Sequence, residues 1–160
     1  MGAAGRYAGG DRAGRVTGGV TEIRACRDGD EPELAALWHA CGLTRPWNPP
    51  EADIALARRS GHGDILVAVA GRTILGSVMV GHDGHRGWVY YLAVAPDRRR
   101  GGLGRRLMQA AEQWVAARGI RKLELMVRDG NAEVAGFYRR LGYEREQVQV
   151  LSRWLDGTRR

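Results

Sequence analysis

A doubled arginine runs into spaced glycines at Arg99-Arg100-Gly101-Gly102-Leu103-Gly104-Arg105-Arg106-Leu107, where a helical apolar pattern begins. Residues of these types at this spacing hold a pyrophosphate. Amides at a helix N-terminus, backed by the positive end of the helix dipole, stabilise anionic oxygens directly. Gly102 and Gly104 lack the Cβ atoms that would keep an anion away, and the flanking arginines supply charge-assisted hydrogen bonds. A Walker P-loop is excluded because Gly104 is followed by Arg105 and Arg106, so the magnesium-binding hydroxyl is missing. A dinucleotide fingerprint is excluded because Leu107 stands where a third glycine or alanine is needed. ATP and NAD therefore fall away, and a different phosphate-bearing coenzyme remains.

A second block follows downstream, with Asn131, Ala135, Phe137-Tyr138 and Gly142-Tyr143. The two blocks, in this order and separation, resemble motifs A and B of the GNAT (Gcn5-related) N-acetyltransferases. The resemblance covers residues 21 to 155. Asp83-Gly84-His85-Arg86-Gly87 and Arg45-Pro46-Trp47-Asn48 further resemble the bacterial YpeA-type branch of that family.

That resemblance implies an acetyl-CoA-dependent N-acetyltransferase acting on an amine of a small molecule or a protein. It places the pyrophosphate on the backbone amides of Arg99, Arg100, Gly101, Gly102, Leu103, Gly104 and Arg105, and the pantetheine arm beside Leu92 and Val94 like an added strand. An amide near Leu92 or Ala93 would polarise the thioester carbonyl, and one such donor elsewhere is worth roughly a hundred- to a thousand-fold in rate. Tyr138 would be the general acid for the departing thiolate, although helical spacing alone would read it as a core aromatic. Asn131 would reach the pantetheine amides, although its capping role already explains its type.

The base is less sharply marked. Relatives that acetylate protein N-termini carry a glutamate five residues ahead of the motif B asparagine, where this chain has Met126. Glu124 is on the same strand face two residues earlier, and it and Asp83 are the carboxylate candidates, with His85 a further one. Solvated turn or ion-pairing residues are the plain alternative for all three. Trp47, Asn48, His85 and Tyr91 are expected on the acceptor side. His82 and His85 in a glycine-containing turn make a poor ligand set, and no metal is assigned.

The chain has 160 residues, which suits one domain and one core. Its longest apolar run, Ile65 to Ala70, is too short to cross a bilayer. Two cysteines without metal or Cys-x-x-Cys spacing point to a reduced cytoplasmic protein. The formal charge of +7 invites a nucleic-acid reading, yet the first twenty residues hold +2 of it and Arg159 with Arg160 another +2. Part of the rest sits in the arginine-rich loop, where a coenzyme with several phosphates would use it. Nucleic-acid binding is therefore not expected. Residues 1–19 are expected to be a disordered Gly/Ala/Arg-rich extension, either a tail or an over-extended translation start. Residues 20–156 are expected to form a single acetyltransferase domain, and 157–160 a basic tail.

Pattern and punctuation predict strands at Thr21–Arg27, Ile65–Ala70, Thr73–Val80, Trp88–Val94, Lys122–Val127 and Val148–Leu155. Helices are predicted at about Glu31–Cys41 (Asp30 as N-cap), Glu51–Arg59, Leu103–Arg118 and Ala132–Leu141. Ile23 and Ala25 should face inward, as should Ile54 and Leu56. The order βααβββαβαβ makes an α+β fold, a mixed and mostly antiparallel sheet flanked by helices. A non-catalytic acyl-CoA sensor or structural protein is the rival reading, and monomer and homodimer are both open.

Overall fold

The computed structural model describes residues 21–157; the expected N-terminal extension and all of the basic tail except Gly157 lie outside them. The chain divides into two compact units, Met1–Glu124 and Leu125–Arg160.

The first unit is built on an antiparallel meander. Strand β1 is Glu22–Ala25, β2 Gly63–Ala70, β3 Thr73–His82 and β4 Gly87–Val94, each paired antiparallel with the next. A fifth strand, β5 (Leu123–Leu125), completes a mixed sheet of order β1-β2-β3-β4-β5. Helices α1 (Glu31–Ala40) and α2 (Pro50–Arg59) connect β1 to β2, and a 3-10 turn at Pro96–Arg98 leads to α3 (Leu103–Ala116).

The continuous apolar run of β2 is buried on both faces. Ile65, Val67 and Val69 meet Leu34, Leu37 and Trp38 of α1 and Ile54 of α2 in one cluster. On α3 the buried stripe is Leu103, Leu107, Met108, Ala111 and Val115, at the spacing of one helix face. Glycines admit that helix: a Cβ at Gly76 would lie 2.9 Å from a Leu107 methyl, and one at Gly87 2.6 Å from Val115. The β2–β3 turn is the expected Gly71-Arg72 pair, with Gly71 at φ 62.

Several expectations are corrected. Asp30 does stand before α1, but its carboxylate does not cap it. It accepts instead from the Arg24 guanidinium (2.6 Å) and the Arg27 amide (2.8 Å), and the Arg24 bond holds its pKa below the usual carboxylate value. A charged partner outcompetes the helix amides for the same oxygens. Ala25 is exposed, and the neighbouring Cys26 is the buried residue. Leu56 is exposed at 56%, whereas Pro50 and Ile54 are the buried residues of α2 and Ala57 packs against the core. Burial pushes the Cys26 thiol up to about 11, as does the charge of nearby Asp30. Arg58 bridges from α2 to Asp28 and Glu31 around this thiol.

The second unit holds the end of β5 and helix α4 (Ala132–Arg140). Among the described residues there is no strand at Val148–Leu155. The alternating apolar pattern is present but its side chains face solvent, Val148 at 73% and Leu151 at 89% exposed. Alternation gives a strand only where a neighbouring strand takes the backbone hydrogen bonds and a core takes one face.

Candidate active site

The arginine-glycine loop begins where β4 ends. After the 3-10 turn, Arg99 is extended, Arg100 is left-handed at φ 64, Gly102 is left-handed at φ 80, and α3 starts at Leu103. Two left-handed residues within three positions curl the backbone, the kind of conformation that gathers amides into an anion-binding concavity. No side chain caps α3, and no acidic residue stands in its first turn. Its dipole therefore faces an environment set by Arg99, Arg100 and Arg105, all exposed. Arg99 also tethers the loop to the strand, its Nε donating to the Val94 carbonyl at 3.3 Å. The Cys41 thiol at the end of α1 donates to the same carbonyl at 3.4 Å.

In β4 the register slips by one residue against β3: Ser77 faces Ala93, Met79 faces Tyr90, and Tyr91 with Leu92 lie opposite Val78 alone. This is a β-bulge with Tyr91 as its left-handed residue, at φ 51. Glycine normally fills such a position, and a bulky side chain there costs on the order of 1–3 kcal/mol. Among the described residues, Tyr91 and Arg100 are the non-glycines with positive φ. They flank the stretch from Leu92 to Arg99, which holds the expected pantetheine contacts and the start of the loop expected to hold the pyrophosphate, and strain of this kind concentrates at functional sites.

Side-chain contacts offset the cost at Tyr91. Its ring stacks on Trp38 with centroids 4.0 Å apart and planes 6° from parallel. Its hydroxyl donates to Asp53 Oδ2 at 2.5 Å and accepts from Asn48 Nδ2 at 2.7 Å, while Asn48 also donates to Asp53 at 2.6 Å. Burial and the Asp53 carboxylate together push the phenol up to about 12. Below the stack, the Trp38 indole N–H donates to the buried Ser77 hydroxyl at 2.9 Å. Sequence reasoning named Asn48 and Tyr91 but missed Trp38, Asp53 and Ser77. An aspartate in a helix's first turn reads as dipole compensation, so no local signal sets Asp53 apart.

The other candidates are placed as follows. Trp47 is 48% exposed, and His85 is exposed in the Asp83–Gly87 turn. Asp83 accepts from the amides of His85 (2.8 Å) and Arg86 (2.7 Å) and from the Trp88 indole (3.2 Å), which together lower its pKa to about 2. These bonds hold a turn and weaken Asp83 as a proton acceptor. The folded value lies below the ordinary carboxylate value of about 3.9, so the turn's contribution is complete above that value and is lost as pH falls towards about 2. Asp83→Asn should flatten the acid-unfolding profile in that window, which circular dichroism against pH would read; an unchanged profile would sink the expectation. Glu124 pairs with Lys122 at 3.0 Å and Arg86 at 3.8 Å.

In the second unit, Asn131 caps α4, its side chain accepting from the Val134 amide at 3.2 Å. Tyr138 sits on that helix between the rings of Phe137 and Tyr143. Burial pushes its phenol up to about 12, so it stays protonated across the neutral and mildly alkaline range. Met126 is half exposed just beyond β5. Among the described residues no group of three or more His, Cys, Asp or Glu side chains could hold a metal ion. No helix of the described residues is long and apolar enough to cross a membrane.

Residues 30–143 match the acetyltransferase (GNAT) family, a span that includes both motif blocks. The chain belongs to the GNAT acetyltransferase family. An acetyltransferase of Yersinia pestis (strain Pestoides F) is 45% identical over 136 residues, covering 84% of this chain and 95% of the relative. A Yersinia enterocolitica acetyltransferase is 44% identical over the same length and coverage. The GNAT fold is also seen in aminoglycoside N-acetyltransferase AAC(6')-Iy, solved in complex with CoA, with a TM-score of 0.75 at 18% identity over 87% of this chain and 97% of that one. A second GNAT-fold neighbour, an aminoglycoside acetyltransferase from an uncultured soil metagenomic sample solved with sisomicin, has a TM-score of 0.70 at 19% identity, over 84% and 96% of the two chains. The α+β fold and the acetyltransferase assignment stand on these findings.

Proposed function

We propose that this GNAT protein transfers the acetyl group of acetyl-CoA to a primary amine of a small molecule or protein by direct attack, and that residues 20–156 act as one acetyltransferase domain. The observation that carries this reading is the doubly left-handed, arginine-flanked loop opening into the uncapped N-terminus of α3. That backbone suits the pyrophosphate of a coenzyme. The CoA bound to AAC(6')-Iy supports the same choice of donor. A reduced cytoplasmic setting fits the two free thiols, Cys26 and Cys41. The loops at Arg45–Asn48 and Asp83–Gly87 support placing the chain in the YpeA-type branch, with Trp47, Asn48, His85 and Tyr91 towards the acceptor.

In this reading the pantetheine arm runs along β4 beside Leu92 and Val94 and contacts Asn131. An amide at Leu92 or Ala93 polarises the thioester carbonyl. The amine attacks that carbon, the C–S bond breaks, and Tyr138 gives its proton to the departing sulfur. Burial raises the pKa of this phenol to about 12, so it holds the proton it would give at neutral pH. Glu124 takes the amine's proton through water; Asp83, committed to its turn, is the poorer acceptor. One observation favours the rival reading of a non-catalytic acyl-CoA sensor: Met126 occupies the position where some relatives have a glutamate.

Calorimetric titration of the protein with acetyl-CoA, beside a Gly104→Asp variant, tests the proposal. Binding in the micromolar range should be lost in the variant, whose carboxylate would repel the pyrophosphate in the first turn of α3. Failure of the parent to bind would remove the coenzyme and the enzyme reading together. With sisomicin, polyamines and peptide N-termini as an acceptor panel, Tyr138→Phe should lower turnover about a hundred-fold or more while coenzyme binding persists. Binding without turnover on any acceptor would favour the sensor.

A further inference from the structure

The bulge in β4 is held from outside the sheet. Its left-handed residue is a tyrosine, so the conformation persists only where the side chain is anchored well enough to offset the strain. The anchor comes from α2 and the segment before it. Asp53 Oδ2 accepts from the phenol O–H at 2.5 Å and from an Asn48 amide N–H at 2.6 Å, and Asn48 also donates to the phenol oxygen at 2.7 Å, closing a three-membered ring of hydrogen bonds. The face of the tyrosine is fixed by Trp38, itself fully buried and tied to Ser77, which pairs across the sheet with Ala93 just past the bulge. The bulge is therefore clamped at its side chain and at its far end by a single connected network.

We propose that Asp53 and Asn48 are positioning residues for acetyl transfer: by holding the Tyr91 phenol they fix the left-handed bulge that aims the Leu92 and Ala93 amides at the thioester carbonyl. The inference rests on the acetyl-CoA reading above. Neither residue need touch coenzyme or acceptor. They act through Tyr91, and burial together with the Asp53 carboxylate raises the pKa of its phenol, which keeps the donor O–H in place at working pH. Free of the clamp, Tyr91 would relax towards an extended conformation, the extra residue would be absorbed elsewhere along β4, and the two amides would rotate.

The test is isotope-edited infrared spectroscopy of [1-13C]acetyl-CoA bound to the parent protein and to the Tyr91→Phe, Asp53→Asn and Asp53→Ala variants, with calorimetric dissociation constants for each. Tyr91→Phe keeps the stack on Trp38 and removes only the O–H, so it provides a folded variant even if Asp53→Ala does not fold. A hydrogen bond to the carbonyl lowers its stretching frequency, so the parent should show a downshift relative to free acetyl-CoA. Tyr91→Phe and Asp53→Ala should lose most of that downshift while their dissociation constants stay within about threefold of the parent's, because the pyrophosphate loop is untouched. Asp53→Asn, which keeps an acceptor for the phenol, should retain more of it. A Tyr91→Phe/Asp53→Ala double variant should be no worse than Tyr91→Phe alone, since both act on one element. The proposal is overturned if the parent binds without a downshift, or if Tyr91→Phe binds with the parent's frequency. Failure of the parent to bind at all would instead bring down the coenzyme reading on which the inference stands.

Discussion

Trp38→Ala is expected to lower the stability of the folded chain by roughly 3–5 kcal/mol, the range for removing a large aromatic from a close-packed core. Trp38 is fully buried in the cluster formed by α1, α2 and β2, and three separate losses converge on it. A cavity opens, the Ser77 hydroxyl loses its indole partner, and Tyr91 loses the ring it stacks on. Trp38→Phe separates these effects, because it keeps an aromatic ring and loses mainly the indole hydrogen bond to a Ser77 hydroxyl that still donates to the Tyr91 carbonyl at 3.5 Å, at about 1 kcal/mol. Urea unfolding followed by circular dichroism reads both. A shift of the midpoint at constant slope is the expected signature, and a loss below about 1 kcal/mol for the alanine variant would contradict the packing described.

Gly76→Val comes next. Even a Cβ at this position would lie 2.9 Å from the Ala93 carbonyl oxygen and 2.9 Å from a Leu107 methyl, closer than real side chains approach. The leucine has some freedom, but the carbonyl belongs to the backbone of β4 and does not yield without moving the strand. Overpacking of this kind costs about 3 kcal/mol. Because the same displacement reaches β4 and α3, on either side of the arginine-glycine loop, the variant should also bind acetyl-CoA more weakly than its stability alone explains. Gly71→Ala is the control. It meets nothing within 4 Å but sits at φ 62, so it should cost only about 1 kcal/mol and leave the coenzyme affinity unchanged. Thermal midpoints and calorimetric affinities of the pair would separate packing at the sheet from backbone conformation in the turn; equal behaviour of the two variants would contradict this account.

The sequence made the periodic elements legible because their signals are local. The stripe from Leu103 to Val115, the Gly71-Arg72 turn and the asparagine cap of α4 each need only a few neighbouring residues to be read, and each is present. The start of α3 behind its glycines was legible for the same reason, since the glycine punctuation and the apolar stripe lie in one segment. The Tyr91 clamp was not. Its members come from α1, the Asn48 segment, α2, β3 and β4, and nothing in the local pattern of any one element requires the others. The Val148–Leu155 segment failed in the opposite direction, with a clear local alternation and no strand there among the described residues. Asp30 shows a third kind of limit, where the expected residue holds the expected position but the arginine six residues earlier, on β1, takes its oxygens.

The ionic belt that Asp28, Asp30, Glu31, Arg24 and Arg58 make around Cys26 has a practical side. A thiol ionising near 11 is almost entirely unreactive at neutral pH, since only the thiolate attacks electrophiles, and here it is also shielded by the core. Towards iodoacetamide or a maleimide dye, the native protein should behave as though it carried one cysteine, Cys41, and should reveal the second only on denaturation. Site-specific labelling at the end of α1 is thereby available without removing any residue.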